Sequence, residues 1–147
     1  MTVEGYFNSI TDNTITDVYG GITVNGSSNK IGHNTITKAA ENGIWVRSGS
    51  SNNITDNIID FTMTGIEDLG YFNNVTGNTI QSGSTGVRGG WYVSDNEIRD
   101  CTTGVSGGMG VSGNEIRNCN IGVMTWSNVN IVDNFLRNCT EGIVVGG

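Results

Sequence analysis

The stretch ITDNTITDVYGGITV, residues 10–24, contains the pattern that decides the fold. In it, Asn13 lies between Ile10 and Ile15 in the frame Ile/Val-x-x-Asn-x-Ile/Leu, and Gly21 follows eight residues later. The frame occurs seven times, each followed by Gly-Ile or Gly-Val, with its asparagines at Asn13, Asn34, Asn57, Asn78, Asn96, Asn114 and Asn134. Spacings of 21, 23, 21, 18, 18 and 20 residues are typical of stacked repeat units. We therefore predict about seven stacked turns of 18–23 residues.

Each turn is predicted to contain three short strands, which in the first turn span 10–12, 14–16 and 21–25. Because alternate strand residues point to opposite faces, the Ile and Val columns beside the asparagines and after the glycines should line one interior. Asparagine tolerates the left-handed backbone of a sharp corner, and stacked amides can hydrogen-bond between turns. The seven asparagines are thus interpreted as an internal ladder, and the glycines as sites of positive φ or close approach.

Composition favours an all-β protein with one domain, residues 1–147. The chain has 23 glycines, no proline and only two leucines, and its apolar content is carried by Ile and Val. These β-branched residues, with abundant Gly, Asn, Thr and Ser, suit short strands joined by tight turns and leave few good helix formers.

The net charge of -7 and the pI near 4.4 argue against a nucleic-acid partner. Phosphate binding needs clustered Lys and Arg, and the seven present are scattered. No apolar run approaches the roughly 20 residues that span a bilayer, and the N-terminus lacks the basic and apolar regions of a signal peptide. The chain is expected to be cytosolic or an excised mature segment, and we favour an extracellular or cell-surface location.

The repeat resembles the right-handed parallel β-helix of pectate-lyase-like proteins, polysaccharide-processing enzymes, phage tail spikes and NosD-type periplasmic proteins. The resemblance rests on the asparagine frame and the Gly-Ile or Gly-Val that follows it, and it covers essentially the whole chain. A leucine-rich repeat has a similar period and an asparagine ladder. The near absence of leucine and the Gly-Ile-x-Val strand where a helix would lie count against that alternative. Such a fold does not define an activity.

Neither end shows a capping unit. The tetrapeptide Gly-Tyr-Phe-Asn at 5–8 recurs at 70–73, which places the first residues inside a third strand, and 142–147 lie inside another. Uncapped turns present apolar side chains and unpaired backbone groups. The expectation is a segment of a longer β-helix or a unit that stacks head to tail with its copies.

The outward face of the third strands is the candidate binding surface. In pectate-lyase-like families the substrate usually lies along this face, so the resemblance implies a polysaccharide partner. Aromatic rings stack on sugars, and Arg and Glu hold hydroxyls or carboxylates. The alternative is that the charged residues only pair across strands while the tryptophan covers their stems. The candidate residues are Trp45, Arg47, Glu67, Arg88 and Trp126.

Catalysis is the alternative function, in a carbohydrate-active enzyme fragment of the lyase or hydrolase type. Glu67 and Arg88 are the only candidate acid–base pair. Glycoside hydrolysis requires two positioned carboxylates, and alternation should point Asp68 away from the face that holds Glu67. The sequence therefore favours a rigid, non-catalytic structural or binding module, and no cofactor is expected.

One column offers a candidate metal or acid–base site. His33, the only histidine, precedes a ladder asparagine between Asp12 and Asp56 on neighbouring turns. Two carboxylates could raise its pKa or share a cation with it. Because aspartate also caps turns, the favoured interpretation is structural.

The three cysteines form another column, each five residues after a ladder asparagine. Reduced thiols filling small core positions are predicted, although neighbouring turns are close enough for one disulfide. The chain has no CxxC and no Cys-His spacing of the zinc-binding type. The residues are Cys101, Cys119 and Cys139.

Overall fold

The computed structural model describes residues 1–126 and 128–146, in which 22 strands form three parallel sheets. The first-strand sheet contains β2 (Ser9–Thr11), β5 (Lys30–Gly32), β8 (Asn53–Thr55), β11 (Asn74–Thr76), β14 (Tyr92–Ser94), β17 (Gly110–Ser112) and β20 (Asn130–Val132). The second-strand sheet contains β3 (Thr14–Val18), β6 (Thr35–Ala39), β9 (Ile58–Asp60), β12 (Thr79–Gln81), β15 (Glu97–Arg99), β18 (Glu115–Arg117) and β21 (Phe135–Arg137). The third-strand sheet contains β1 (Thr2–Glu4), β4 (Ile22–Asn25), β7 (Asn42–Ser48), β10 (Thr64–Asp68), β13 (Thr85–Gly89), β16 (Thr103–Ser106), β19 (Ile121–Thr125) and β22 (Glu141–Val145).

Successive first, second and third strands make one turn of the coil, termed a rung. Rung 1 comprises β2, β3 and β4, and rung 7 comprises β20, β21 and β22; β1 pairs beneath β4. Corresponding strands of adjacent rungs pair in parallel. The prediction of an all-β parallel β-helix with about seven rungs is confirmed. Among the described residues, no helix is long and apolar enough to cross a bilayer.

The predicted Ile and Val columns form the core. On rung 3, Ile54, Ile59 and Ile66 are completely buried, and the corresponding residues of the other inner rungs are buried as well. Burying each such side chain contributes roughly 1.5–3 kcal/mol. On rung 7, the last of the described rungs, Ile143 is 49% exposed.

The asparagine ladder is confirmed. Asn57 donates to the side-chain oxygen of Asn78 from its backbone N–H at 3.0 Å and from Nδ2 at 2.9 Å, and the other rungs repeat this geometry. The expected left-handed asparagine is wrong: none of the seven has a positive φ. The preceding residue has it instead, with φ of 54° at His33 and 56° at Asp56, because Asp, His and Gly tolerate this region.

A second asparagine ladder, which the sequence analysis did not predict, runs along the corner before the first strands. Each side-chain Nδ2 donates to Oδ1 of the asparagine on the next rung, with donor–acceptor distances of 3.0–3.1 Å. The members are Asn8, Asn29, Asn52 and Asn73.

The glycines that were predicted to precede the third strands lie at the starts of these strands, and they are required by close approach and not by a positive φ. A Cβ on Gly65 would lie 2.4 Å from Cγ2 of Ile80 and 2.6 Å from the carbonyl oxygen of Gly86. Any larger residue at this position would therefore collide with the second-strand isoleucine and with the next rung.

The cysteine column consists of free thiols. Cys101 and Cys119 are buried and Cys139 is partly buried. The hydrogen bond with Cys101, together with burial, raises the pKa of the Cys119 thiol. The prediction of reduced core thiols agrees with this arrangement.

Candidate functional site

The third-strand sheet brings four of the five predicted site residues together on rungs 2 to 4. Trp45 pairs with Glu67, and Glu67 pairs with Arg88. Arg47 is exposed, and its Cζ lies 4.6 Å from the centroid of the Trp45 ring. These four residues constitute what we term the third-strand face.

Glu67 is the centre of a polar network on this face. Its Oε2 accepts a hydrogen bond from Nδ2 of Asn42 at 2.8 Å, and its Oε1 lies 3.5 Å from Nη1 of Arg88. The Glu67 side chain is only 16% exposed, whereas that of Arg88 is 63% exposed. The carboxylate is therefore fixed in position while the guanidinium remains available to a ligand.

Asn42 is not among the predicted residues, because it precedes Gly43, whereas Trp45 and Arg47 are the second and fourth residues after that glycine. The residues that pair in its column on the next rungs are Thr64 and Thr85. The asparagine in a column that otherwise carries threonine on the next two rungs was the feature of the sequence that could have identified this residue.

A hollow of about 260 Å³ extends the third-strand face toward rung 1. Tyr19 and Glu41 line it together with Trp45, and the Tyr19 hydroxyl donates to Oε1 of Glu41 at 2.5 Å. This hydrogen bond and the nearby carboxylate raise the pKa of Tyr19. Nε1 of Trp45 is shielded and has no acceptor among the described residues. Tyr19 and Glu41 lie in the corners between the second and third strands of rungs 1 and 2, outside the strand columns from which the site residues were predicted.

Asp68 points into the interior, as predicted. It pairs with Val46 of rung 2 and is only 2% exposed, while its neighbour Glu67 faces outward. Asp68 therefore cannot act as a second carboxylate beside Glu67 and Arg88 on the outward face.

Trp126 lies apart from the other four predicted residues. It follows β19 on rung 6, four rungs beyond Arg47, which corresponds to roughly 19 Å at a strand spacing of about 4.8 Å. Its side chain is 56% exposed. The predicted site is thus divided between two places on the molecule.

Trp126 borders a second concave surface, created by two short corners. The corner after the third strand has five residues on rung 3 (69–73) and four on rung 6 (126–129), but only two on rung 4 (90–91) and three on rung 5 (107–109). The drop in asparagine spacing to 18 residues comes from these corners. The two long corners thus stand about 14 Å apart along the axis, with a recess between them that we term the corner notch.

The corner notch has a volume of about 330 Å³, at the lower end of the range for small-molecule sites. Its floor is made of glycines, which leave space where other rungs carry side chains. The floor residues are Gly89, Gly90, Gly107 and Gly108, and the walls include Leu69, Tyr71, Trp91, Met109, Trp126 and Val129.

The buried carboxyl of Asp68 lies at this notch. Its Oδ1 accepts hydrogen bonds from the backbone N–H of Gly70 at 2.9 Å and from Nδ2 of Asn73 at 2.7 Å. Asn73 is the last member of the second ladder, and its column continues as Trp91 on the next rung. Burial raises the pKa of Asp68. The carboxyl therefore terminates the ladder and supplies the only acidic side chain among the described residues of the notch lining.

The rim of the notch carries an aromatic pair. Phe72 has a φ of 54° and stacks on Trp91 with ring centroids 4.4 Å apart. The equivalent residues on the three earlier corners, Phe7, Ser28 and Ser51, also have positive φ. A positive φ is uncommon for a bulky residue, and because Phe7 has it as well, the repeated corner backbone accounts for it.

The candidate metal residues do not form a site. Asp12, His33 and Asp56 are exposed corner residues with positive φ. No group of three or more potential ligands occurs within residues 1–126 and 128–146. Their residue types are explained by the corner backbone.

Comparison with known proteins agrees with this architecture. A family model described as "Right handed beta helix region" matches residues 2–93 and, in a second overlapping match, residues 21–147. No curated protein and no solved structure matches the chain.

Proposed function

Since the chain belongs to the right-handed β-helix family, we propose that it is a rigid, non-catalytic module that contacts polysaccharide through its third-strand face. An extracellular or cell-surface assembly is the setting in which such a module would meet that partner. The stacked Trp45 and Arg47 beside the Asn42, Glu67 and Arg88 network on adjacent rungs is the observation that carries the proposal.

The arrangement supports sugar binding because each group has a distinct task. The indole of Trp45 offers an apolar surface on which the apolar face of a sugar ring can stack. Arg88 is exposed and can hold a hydroxyl or a carboxylate, while Glu67 accepts from hydroxyls. The flat parallel sheet repeats these positions along one line, which suits a chain ligand.

Affinity electrophoresis against neutral and anionic polysaccharides tests the proposal. Trp45→Ala should weaken binding about tenfold, equivalent to about 1.4 kcal/mol, and Arg88→Ala should weaken anionic ligands most. Met124→Ala is the matched control, because Met124 lies in the same outward column two rungs beyond Arg88. Retained binding in Trp45→Ala would exclude this face.

The same polysaccharides, incubated with the protein, distinguish a binder from an enzyme. Reducing ends and unsaturated products are expected to stay at background. Product formation that disappears in Glu67→Gln would replace the proposal with the lyase or hydrolase alternative.

Head-to-tail association is a second candidate function of the 147-residue polypeptide, favoured by its end rungs. On rung 7, Ile143 and Val145 are 49% and 62% exposed, whereas their partners on rung 6, Val123 and Thr125, are buried. The backbone N–H of Asn134 occupies the ladder position that on other rungs donates to the next asparagine oxygen, and Asn13 carries such an oxygen on rung 1. A second copy placed above rung 7 would extend the ladder and the first- and second-strand sheets, and β22 would take the position beneath β4 of that copy, which its own β1 would have to leave.

A further inference from the structure

The corner notch joins aromatic walls to a single buried acid. Tyr71, Trp91 and Trp126 line it on different sides, and neither Lys nor Arg belongs to its described lining. Aromatic faces carry negative electrostatic potential and attract cations, most strongly tryptophan. The chain's net charge of -7 acts in the same direction. Anionic ligands are therefore disfavoured here, in contrast to the third-strand face with its two arginines.

The carboxyl of Asp68 is incompletely compensated. Its Oδ2 is shielded from solvent and has no hydrogen-bond partner among the described residues. It lies beneath the glycine floor, where a Cβ on Gly90 would be 3.7 Å away. An unpaired buried carboxylate is costly unless positive charge compensates it. A cation in the notch would supply that charge across the floor.

The shielding of Oδ2 also determines which cation fits. A primary ammonium would need hydrogen-bond acceptors for its three N–H groups, and Oδ2 is not exposed to receive them. A quaternary ammonium has no N–H to satisfy, and its methyl groups pack on aromatic rings. We propose that the corner notch binds the quaternary ammonium group of a small soluble molecule.

Binding should depend on pH through Asp68. The ionised carboxylate attracts the cation and the protonated carboxyl does not, so affinity should fall as the pH is lowered through the raised pKa of this group. The other charged or titratable groups on the elements packed against it are outward-facing or at the rim: Arg47, Glu67, Arg88, Tyr71 and Tyr92. Asp68→Asn should remove the dependence.

Titration with choline chloride, followed by tryptophan fluorescence and calorimetry, tests the proposal. Its uncharged isostere 3,3-dimethylbutan-1-ol has the same shape and should bind at least about tenfold more weakly if charge is recognised. Asp68→Asn preserves an acceptor for Gly70 and Asn73 and should cost about tenfold in choline affinity. Trp126→Leu, at an exposed position, should also weaken binding and does not depend on the buried network.

Three outcomes would overturn the proposal: no saturable choline binding, equal affinity for choline and the alcohol, or displacement of choline by methyl glucoside at similar concentration. Trp45→Ala should leave choline binding unchanged, because Trp45 belongs to the third-strand face. The notch proposal therefore succeeds or fails independently of polysaccharide binding.

Discussion

At the scale of single residues, the ladder asparagines connect each rung to both of its neighbours. Oδ1 of Asn78 accepts from Asn57, while its own Nδ2 donates to the Ile54 carbonyl at 2.9 Å and to Asn96 at 3.0 Å. The side chain is fully buried. Removing it leaves several buried polar groups unpaired, and such groups cost about 1–3 kcal/mol each.

Asn78→Ala should therefore lower the free energy of unfolding by about 3 kcal/mol or more. Urea denaturation followed by tryptophan fluorescence measures the loss. The control is Asn53→Ala, whose side chain is exposed in β8 and should change stability by less than about 0.5 kcal/mol. Equal midpoints for Asn78→Ala and the unmodified protein would mean that the ladder contributes little.

The residue types alone predicted the asparagine ladder, but they did not predict which residue of each corner has the left-handed backbone conformation. An asparagine suits both a left-handed corner and a stacked amide, and its sequence position does not distinguish these roles. The structure assigns the corner to the preceding residue, Asp56 or His33 for example. This assignment also explains why a column of acidic residues and one histidine resembled a metal site.

At the scale of elements, the third strands approach the second strands so closely that only glycine fits between them. A Cβ on Gly86 would lie 2.5 Å from the carbonyl oxygen of Gly104 and 2.5 Å from Cγ2 of Ile98. The carbonyl oxygen of Gly104 belongs to the backbone, so it cannot move without disturbing the pairing of β13 and β16.

Gly86→Ala should destabilise the protein by about 1–3 kcal/mol, the usual cost of overpacking. The matched control is Gly20→Ala, which meets no atom within 4 Å of the added Cβ and should leave the thermal midpoint unchanged. Circular dichroism during heating compares the two. A midpoint for Gly86→Ala equal to that of the control would contradict the close approach.

Strand columns were predictable because period-two alternation assigns every strand residue to one face. The third-strand face was found in this way, with Trp45, Glu67 and Arg88 in the predicted register. The corner notch was not found, because it arises from residues that are missing between strands. The drop from 21 to 18 residues per repeat and the pairs Gly89-Gly90 and Gly107-Gly108 were its only traces in the sequence.

At the scale of the whole molecule, stability depends on contacts between neighbouring rungs, so the end rungs of this polypeptide should be the least protected. Core residues of rungs 2 to 6 are buried, whereas the inward-facing Ile143 and Val145 of rung 7 are 49% and 62% exposed. In such linear architectures, each unit is stabilised by its neighbours.

Hydrogen exchange at two protein concentrations tests head-to-tail association. Amides of rungs 1 and 7 should exchange fastest in dilute solution and gain protection together as concentration and light scattering rise. Ile143→Lys should abolish the gain, while Val144→Lys, on the outward side of the same strand, should not. End-rung exchange that is independent of concentration, with scattering at the monomer mass, would exclude this function.

The first asparagine ladder has a direction. From Asn13 to Asn114, every side-chain amide donates to the side-chain oxygen of the asparagine on the following rung, and none donates to that of the preceding one. Two copies related by a two-fold axis through one end would oppose donor to donor or acceptor to acceptor, so a symmetric dimer cannot continue the ladder. Only a heterologous, head-to-tail contact can continue the ladder. Such contacts form a closed ring only if successive copies are rotated by a suitable angle, and otherwise they form an open filament. Any polymer formed in this way would be polar, with two chemically distinct tips.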